Sequence, residues 1–484
     1  MVKKKGAMMM NAVRALFQRK SSHDVDMTEG SILRHLLTFA FPLLVGNIFQ
    51  QLYNMVDTWV VGNYVSNEAF AAVGSVGSII NMLIGFFAGL ASGAGAVISQ
   101  YYGAHKEDRV RQTVHTALIM TLVLGVVFTA LGILITPWML SLMNTPDVVF
   151  EQAKSYLIIY FAGILGLMVY NMGAGILRAV GDSKRPFYFL VVSAVVNTVL
   201  DLVFVLIFHM GVEGVALATI VAQGISALLV IITLLRTPSC VRIVVREMGV
   251  DFGILGKIVR VGIPAALQMA ITAFSNVFVQ SYINGFGEDG MSGWTAYTKI
   301  DQLVLLPMQS VALSSTTFVA QNLGGDKVER AKRGVRTALL LGIGSTVVLM
   351  LPVMLFAPGL VSFFNGKAEV IEIGALFLWS NTPFYVLCCF NQIYAGALRG
   401  SGNSRAPMII LLSSFVVFRQ ILLYLVTYFF IPYLAGIMTV TEHARMVITG
   451  LSYPAGWLLA TVLIGIYYHR VGFSKGRIVE KSDS

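Results

Sequence analysis

The sequence predicts an all-α polytopic membrane protein with twelve transmembrane helices in two six-helix lobes. Three observations support this fold class. The 484 residues are 56% hydrophobic and only 12% charged, about half the charged fraction of a typical soluble domain. Twelve apolar segments are long enough to cross a bilayer, which takes about 20 helical residues. Two stretches of the chain also repeat each other, 221 to 222 residues apart.

The twelve apolar segments form two sets of six, separated by short polar loops. They fall near 36–62, 69–96, 112–136, 154–177, 187–209 and 212–236, and then near 254–283, 294–319, 335–357, 371–396, 407–431 and 445–468. The first segment is too long for the apolar core of a signal peptide, so we expect it to remain as the first helix. The predicted organisation is an N-terminal arm (1–35), a first lobe (36–236), a linker (237–253), a second lobe (254–468) and a C-terminal tail (469–484).

The repeat relates the first six segments to the last six. SQYYGAHKEDRVRQTVHTAL begins at Ser99, and AQNLGGDKVERAKRGVRTAL begins at Ala320. GILRAVGDSKRPF (175–187) returns as GALRGSGNSRAPM (396–408). Each repeat contains an even number of spans, so the two lobes are predicted to run parallel, related by a pseudo-twofold axis along the membrane normal.

The positive charges predict which side of the membrane each loop faces. With the N-terminus placed in the cytoplasm, the outer loops hold only three of the 34 Lys and Arg residues: Lys154, Lys367 and Arg445. Two more lie within spans, and all the others lie in inner segments. The asymmetry predicts that both termini and the linker are cytoplasmic. We expect the membrane to be a bacterial-type inner membrane. The asymmetry also accounts for the net charge of +10 without any binding to nucleic acid.

Five ionisable residues interrupt the apolar spans: Asp57, Asp201, Lys299, Asp301 and Arg419. By insertion scales a charge in the middle of a span costs roughly 2.5–3.5 kcal/mol, so such residues face a partner or a polar cavity and are often functional. The alternative is a structural ion pair within the bundle.

Polar residues of three predicted helices lie at similar depth in the first lobe. One face of the first helix carries four of them: Gln50, Tyr53, Asn54 and Asp57. Asn197 and Asp201 share a face of the fifth helix. Asp57, Asp201 and Thr219 lie about 8, 12 and 10 Å from the outer ends of their helices. Two carboxylates, an amide and a hydroxyl suit a proton or a small hard cation, although a purely structural polar cluster is the alternative.

The second lobe lacks this set of residues. Lys299 and Asp301 are two residues apart and do not face each other on a helix. We expect Asp301 to pair with Lys299 or Arg419, in a structural ion network or at a substrate cavity. The seventh helix carries a polar stripe of Gln268, Thr272, Ser275 and Asn276.

The sequence contains no enzymatic constellation. Four histidines near the inner surface, His35, His105, His115 and His469, are expected to be solvated. No Gly-rich phosphate loop with a following Lys-Ser/Thr is present, so ATP hydrolysis by this chain is not expected. We predict that the protein is not an enzyme and needs no cofactor or resident metal.

These features together resemble the multidrug and toxic compound extrusion (MATE) family, from about Leu33 to Arg470. The motifs that carry the resemblance are FPLL and QQLYNMVDTWVVG in the first helix, SQYYGA after the second and LRAVGDSKRP after the fourth. AQNLGGDK and LRGSGNSRAP occupy the matching places in the second half.

The resemblance implies a V-shaped pair of six-helix lobes that exports small organic cations as H⁺ or Na⁺ flows inward. Asp57, Asn197, Asp201 and Thr219 are similar to the N-lobe cation site of the DinF-like and archaeal branch. Pro42, as a helix kink, and Tyr53 match the first helix of that branch, while Tyr156 and Asn171 are candidate matches in the fourth helix. The NorM-like branch has acids on helices seven and ten, where this chain has Gln268, Asn276, Tyr385 and Asn391.

Two other functions compete with cation export. A flippase or exporter for a lipid-linked or amphiphilic endogenous metabolite would have a similar architecture. A membrane receptor or intramembrane enzyme is disfavoured by the absence of a sensor domain and a catalytic dyad. We expect the protein to act as a monomer whose partners are small molecules and membrane lipid.

Overall fold

The computed structural model describes residues 24–143, 145–437 and 441–479, and all regular structure within these ranges is helical. Eleven helices are long and apolar enough to cross a membrane, and a pair bent by 47° supplies the twelfth crossing. The predicted fold class is therefore confirmed. The boundaries of the predicted lobes, arm and tail stay a prediction.

We number the crossings α1 to α12. The first lobe contains α1 (Ile32–Tyr64), α2 (Asn67–Gly103), α3 (Glu107–Leu142), α4 (Asp147–Ala162 and Ile164–Ala179), α5 (Lys184–Ile207) and α6 (Val212–Arg236). The second contains α7 (Phe252–Asn284), α8 (Gly287–Gly324), α9 (Val328–Leu355), α10 (Ala368–Gly400), α11 (Arg405–Ile437) and α12 (Glu442–Val471). A short helix, Ala357–Ser362, lies between α9 and α10.

Side-chain caps mark where several of these helices begin. The Ser31 hydroxyl accepts a hydrogen bond from the amide of Arg34 at the start of α1, and Ser66 caps α2 in the same way. Asp251 caps α7 by accepting from the amide of Ile254. The first amides of a helix have no partner within the helix, so these polar residues stop the apolar segments at defined points.

The two lobes approach each other most closely between α2 and α7. A Cβ atom added to Gly93 would lie 2.2 Å from the Cα of Gly262, and one added to Gly89 would lie 2.5 Å from the Cα of Ala266. Only glycine fits at such backbone distances. Small residues spaced by four allow helices to pack closely in membranes, where apolar burial alone does not drive association.

The described segments before α1 (residues 24–31) and after α12 (residues 472–479) lie at one end of the bundle, which we call the inner end, and each contacts the opposite lobe. The amide of Met27, before α1, donates to Gln321 Oε1 of α8 at 2.9 Å. The amide of Ile478, after α12, donates to Gln100 Oε1 of α2, also at 2.9 Å. The chain ends therefore tie the lobes together where they meet.

Two glycines of the repeated motifs make room for the terminal segments. Gly181 and Gly402 have φ angles of +87° and +91°, in the region that favours glycine. A Cβ on Gly181 would lie 2.4 Å from the carbonyl oxygen of Val25, and one on Gly402 would lie 2.1 Å from that of Gly476. The two ends of the chain thus occupy equivalent places in the two repeats.

The expectation that His115 is solvated is wrong. The residue is only 2% exposed and lies between α3 and the linker. Its Nε2 accepts from the amide of Val244 at 3.1 Å, and its Nδ1 lies 3.1 Å from the carbonyl oxygen of Glu247. A single imidazole therefore fixes the linker to the first lobe, because it bonds two backbone groups of that segment.

Candidate functional site: a carboxylate pair beside a central cavity

The structure places Asp57 of α1 and Asp201 of α5 side by side in the first lobe. Asp201 is fully buried. Neither of its carboxylate oxygens has a hydrogen-bond partner among the described residues, and the same is true of Oδ1 of Asp57. Two adjacent carboxylates with three such oxygens repel each other in a low-dielectric site, so the arrangement favours a bound proton or cation.

Three further polar groups surround the pair. Asn197 lies one turn before Asp201, is 2% exposed, and its amide makes no hydrogen bond within the described part of the chain. Tyr156 of α4 lies next to both carboxylates, with its hydroxyl beside that of Thr219. The Thr219 hydroxyl donates to the carbonyl oxygen of Val215 at 3.0 Å, which leaves its oxygen available as an acceptor.

Helix α5 changes its winding directly after Asp201. Residues Val203–Ile207 form a π-helical turn. Such turns are rare and occur frequently at functional sites, because they shift the register of the side chains that follow. No pattern in the sequence predicted this turn beyond the position of the acid.

A cavity of about 550 Å³ lies between the lobes and is lined by residues of both. Six polar residues named in the sequence analysis line it, together with Pro42 inside α1: Gln50, Asn171, Gln268, Thr272, Asn276 and Asn391. The volume is within the range of about 300–1,000 Å³ that is typical of small-molecule sites. Asn54 lies on an exposed part of α1, and the side chain of Tyr53 lies outside the described residues.

Two arginines that the sequence analysis did not select also line this cavity. Arg178 ends α4 and Arg399 ends α10. They occupy the same place in the repeated motifs LRAVGDSKRP and LRGSGNSRAP. Their identical position in the two repeats was the signal that could have identified them as a pair.

The prediction that Asp301 pairs with Lys299 or Arg419 is wrong. No ion pair joins Asp301 to either residue in the described part of the chain. Asp301 lies beside the Tyr385 hydroxyl, in the interior of the second lobe, and Lys299 is exposed. Arg419 bonds neutral partners instead of an acid.

Arg419 obtains its partners from α7 and α12. Its Nη2 donates to Ser275 Oγ at 2.8 Å and to Asn276 Oδ1 at 3.1 Å. The guanidinium also lies 4.4 Å from the ring centroid of Tyr453. Neutral oxygens and an aromatic face therefore replace the expected carboxylate. Arg419 joins three helices of the second lobe and does not line the central cavity.

Twelve crossings in two repeated lobes, with a ligand-sized cavity between them, define a polytopic membrane transporter. The chain belongs to the MatE family, whose model matches residues 42–203 and 264–425, one match in each lobe. Members of this family are transporters and not enzymes.

Curated relatives and solved structures agree with this assignment. The chain is 29% identical to the probable multidrug resistance protein YoeA of Bacillus subtilis, over 91% of this chain and 94% of that protein. It is 24% identical to a FAD transporter of Shewanella oneidensis, over 79% and 86% of the two chains. The fold matches an outward-facing multidrug resistance MATE transporter with a TM-score of 0.85 at 24% identity, over 94% of this chain and 99% of that one.

Proposed function

We propose that this protein is a secondary active exporter of small molecules in a bacterial-type inner membrane, driven by inward ion flow through Asp57 and Asp201. The supporting observation is the pair of adjacent carboxylates on α1 and α5. Both helices also line the central cavity, α1 through Pro42 and Gln50 and α5 through Ser193.

The shared helices provide a physical connection between ion and substrate. Gln50 lies seven residues before Asp57, or about 10 Å along α1, and Ser193 lies eight before Asp201, or about 12 Å along α5. An ion that bridges the two carboxylates draws α1 and α5 together, and its loss lets them separate. Pro42 removes one backbone hydrogen bond from α1 and provides a point at which the helix can bend.

A single proton is the simplest ion for this site, because one proton shared by two carboxyl groups removes their repulsion. Na⁺ is the alternative, with oxygens available from the carboxylates, Asn197, Thr219 and Tyr156. We favour H⁺. One charge moving through 100 mV supplies about 2.3 kcal/mol, and each pH unit adds about 1.4 kcal/mol.

The relatives leave the substrate class open. One is named for multidrug resistance and another for FAD, which carries a diphosphate. Export of organic cations, as the sequence resemblance implies, stays a prediction. The charge of the central cavity, which Arg178 and Arg399 line, supports the alternative of an amphiphilic endogenous metabolite.

The coupling site is tested in everted membrane vesicles that accumulate dye against a gradient. Tetramethylrhodamine methyl ester serves as a cationic dye and fluorescein as an anionic one. Asp57→Asn and Asp201→Asn should each reduce uphill accumulation at least about tenfold, because the amide cannot release a proton. Asp301→Asn, which changes a buried carboxylate of the other lobe, is the matched control and should retain accumulation.

The ion is identified in the same vesicles by omitting Na⁺ or adding a protonophore. Proton coupling predicts that accumulation persists without Na⁺ and collapses with the protonophore. Accumulation at the wild-type rate in both first-lobe variants would refute the coupling site. A strict Na⁺ requirement that survives the protonophore would retain the site and reject the proton.

A further inference from the structure

The central cavity carries positive charge and no negative charge. Among the described residues that line it, the only charged side chains are Arg178 and Arg399, and no Asp or Glu is present. The carboxylates of the proposed coupling site belong to a separate cluster within the first lobe. A cationic substrate would therefore meet two guanidinium groups and no countercharge in this cavity.

The two arginines lie on opposite sides of the junction of the lobes. The residue after Arg178 is Ala179, whose carbonyl oxygen accepts from Gln321 of the other lobe at 2.9 Å. The residue after Arg399 is Gly400, whose carbonyl oxygen accepts from Gln100 at 2.8 Å. Both guanidinium groups thus belong to the last helical turns at the inner end of the cavity, which we call its floor.

Neither arginine is neutralised by the residues that the structure describes around it. Arg399 is only 6% exposed, and its Nε and Nη1 atoms have no hydrogen-bond partner among the described residues. Arg178 makes no ion pair with any residue that the structure describes. A guanidinium stays charged at physiological pH, and an uncompensated buried charge is strongly destabilising. The floor of the cavity is consequently suited to bind an anion.

The acid closest in sequence does not supply the missing charge. Asp182, four residues after Arg178, is paired with Arg185 and accepts from the amides of Lys184 and Arg185. At the equivalent place in the second repeat the chain has Asn403. The sequence thus places an arginine in both repeats and leaves a free carboxylate beside neither.

The rest of the cavity is amphiphilic. Gln50, Gln268 and Ser193 offer hydrogen bonds, whereas Leu43, Phe187 and Phe415 offer apolar and aromatic surface. Arginine binds carboxylates and phosphates through paired, charge-assisted hydrogen bonds. We propose that the central cavity binds an amphiphilic small molecule through a carboxylate or phosphate group held by Arg178 and Arg399. This inference rests on the proposed export function and defines its substrate class.

The first test compares two xanthene dyes of similar shape and opposite charge on the wild-type protein. Purified full-length protein in nanodiscs of zwitterionic lipid is titrated with fluorescein and with tetramethylrhodamine methyl ester, and binding is followed by fluorescence anisotropy. We expect fluorescein to bind at least about tenfold more tightly, the scale of one charge-assisted hydrogen bond. Tighter binding of the cationic dye would overturn the proposal.

The second test removes the charges. Arg178→Gln and Arg399→Gln should each weaken fluorescein binding about tenfold and leave or improve binding of the cationic dye. Arg405→Gln, at an exposed position where α11 begins at the inner end, is the matched control and should change neither. Thermal unfolding verifies that each variant is folded. Unchanged fluorescein affinity in folded variants would contradict the proposal.

The binding experiment is separate from the test of the coupling site. It is performed at equilibrium without an ion gradient, so failure of Asp57 and Asp201 as the coupling pair would leave its outcome unaffected. Conversely, a cavity that prefers cations would leave the vesicle result for Asp57→Asn unaffected.

Discussion

Asp301 shows how a buried carboxylate can lie near two cationic residues of the same lobe without pairing with either. The phenol of Tyr385 lies beside it, and Tyr453 lies near both Asp301 and Arg419. The intramembrane position of the acid identified it as a residue that needs polar surroundings. Its actual neighbours could not be read from the sequence, because hydroxyl groups and aromatic rings substitute for countercharges.

Replacement of Asp301 by asparagine should therefore have little effect on stability. The substitution leaves no positive charge without its partner, because Arg419 is bonded to Ser275 and Asn276. We expect the free energy of unfolding to change by less than about 1 kcal/mol, as for a substitution that breaks no ion pair. Arg419→Met, which removes both hydrogen bonds and the contact with Tyr453, should cost about 1–3 kcal/mol.

The measurement is thermal or denaturant unfolding of both purified variants in the same detergent. A loss for Asp301→Asn as large as that for Arg419→Met would show that the carboxylate does stabilise a cation of the second lobe. The comparison separates the earlier expectation of an ion network from the arrangement seen in the structure.

At the scale of single residues, the sequence analysis predicted the carboxylate cluster but did not identify the cavity arginines. Spacing along three helices places Asp57, Asp201 and Thr219 at one depth, and helix geometry is regular enough to make that estimate useful. Arg178 and Arg399 were assigned to the inner segments with the other positive charges. A shift of one helical turn decides whether such an arginine faces water or a cavity. Hydropathy does not locate the end of a helix to within one turn.

At the scale of elements, the positions of the twelve crossings follow from the sequence because the bilayer demands long apolar helices. The positions of the irregular segments do not follow from the sequence. α4 bends by 47° around Gly163, and α5 and α11 contain π-helical turns, Val203–Ile207, Ser413–Phe418 and Val426–Phe430. Each depends on packing against neighbouring helices, and the hydrophobic periodicity of a sequence carries no information about that packing.

The linker after α6 provides a test of membrane sidedness. Val245 is 67% exposed, so a cysteine introduced there should react with a membrane-impermeant maleimide. We expect labelling in everted vesicles and none in intact cells, because positive charges retain their segments in the cytoplasm.

Labelling of the native Cys240 by the maleimide should be low in this experiment. Burial raises the pKa of the Cys240 thiol to about 11, so little thiolate is present at neutral pH. The Cys240→Ser protein, with and without Val245→Cys, provides the matched pair. Efficient labelling of the Val245→Cys protein in intact cells would reverse the predicted orientation of the whole chain.

At the scale of the molecule, two glutamines of the repeated motifs hold the inner end closed. Gln100 and Gln321 each bond a backbone carbonyl of the opposite lobe and a terminal segment. The repeat predicted that the two positions are equivalent. It did not predict that the described terminal segments would each bond the opposite lobe, because these segments lack sequence similarity to each other.

The double variant Gln100→Ala, Gln321→Ala should open the inner end more often. A cysteine at Ser92, on the cavity wall, reports the opening through its rate of reaction with an impermeant maleimide in everted vesicles. Loss of the glutamine bonds should raise that rate about tenfold or more. Gln112→Ala, at a position on α3 that does not line the cavity, is the control. An unchanged rate would show that these bonds do not restrain the inner end.

The four glutamine bonds also set how often the transporter leaks. At about 1 kcal/mol each, they favour the closed inner end by about 4 kcal/mol, a factor of about a thousand. By that factor they lower the fraction of time for which an idle molecule opens its cavity at the inner end. Cargo already expelled would rarely find a route back, and little of the ion gradient would be lost while no cargo is present.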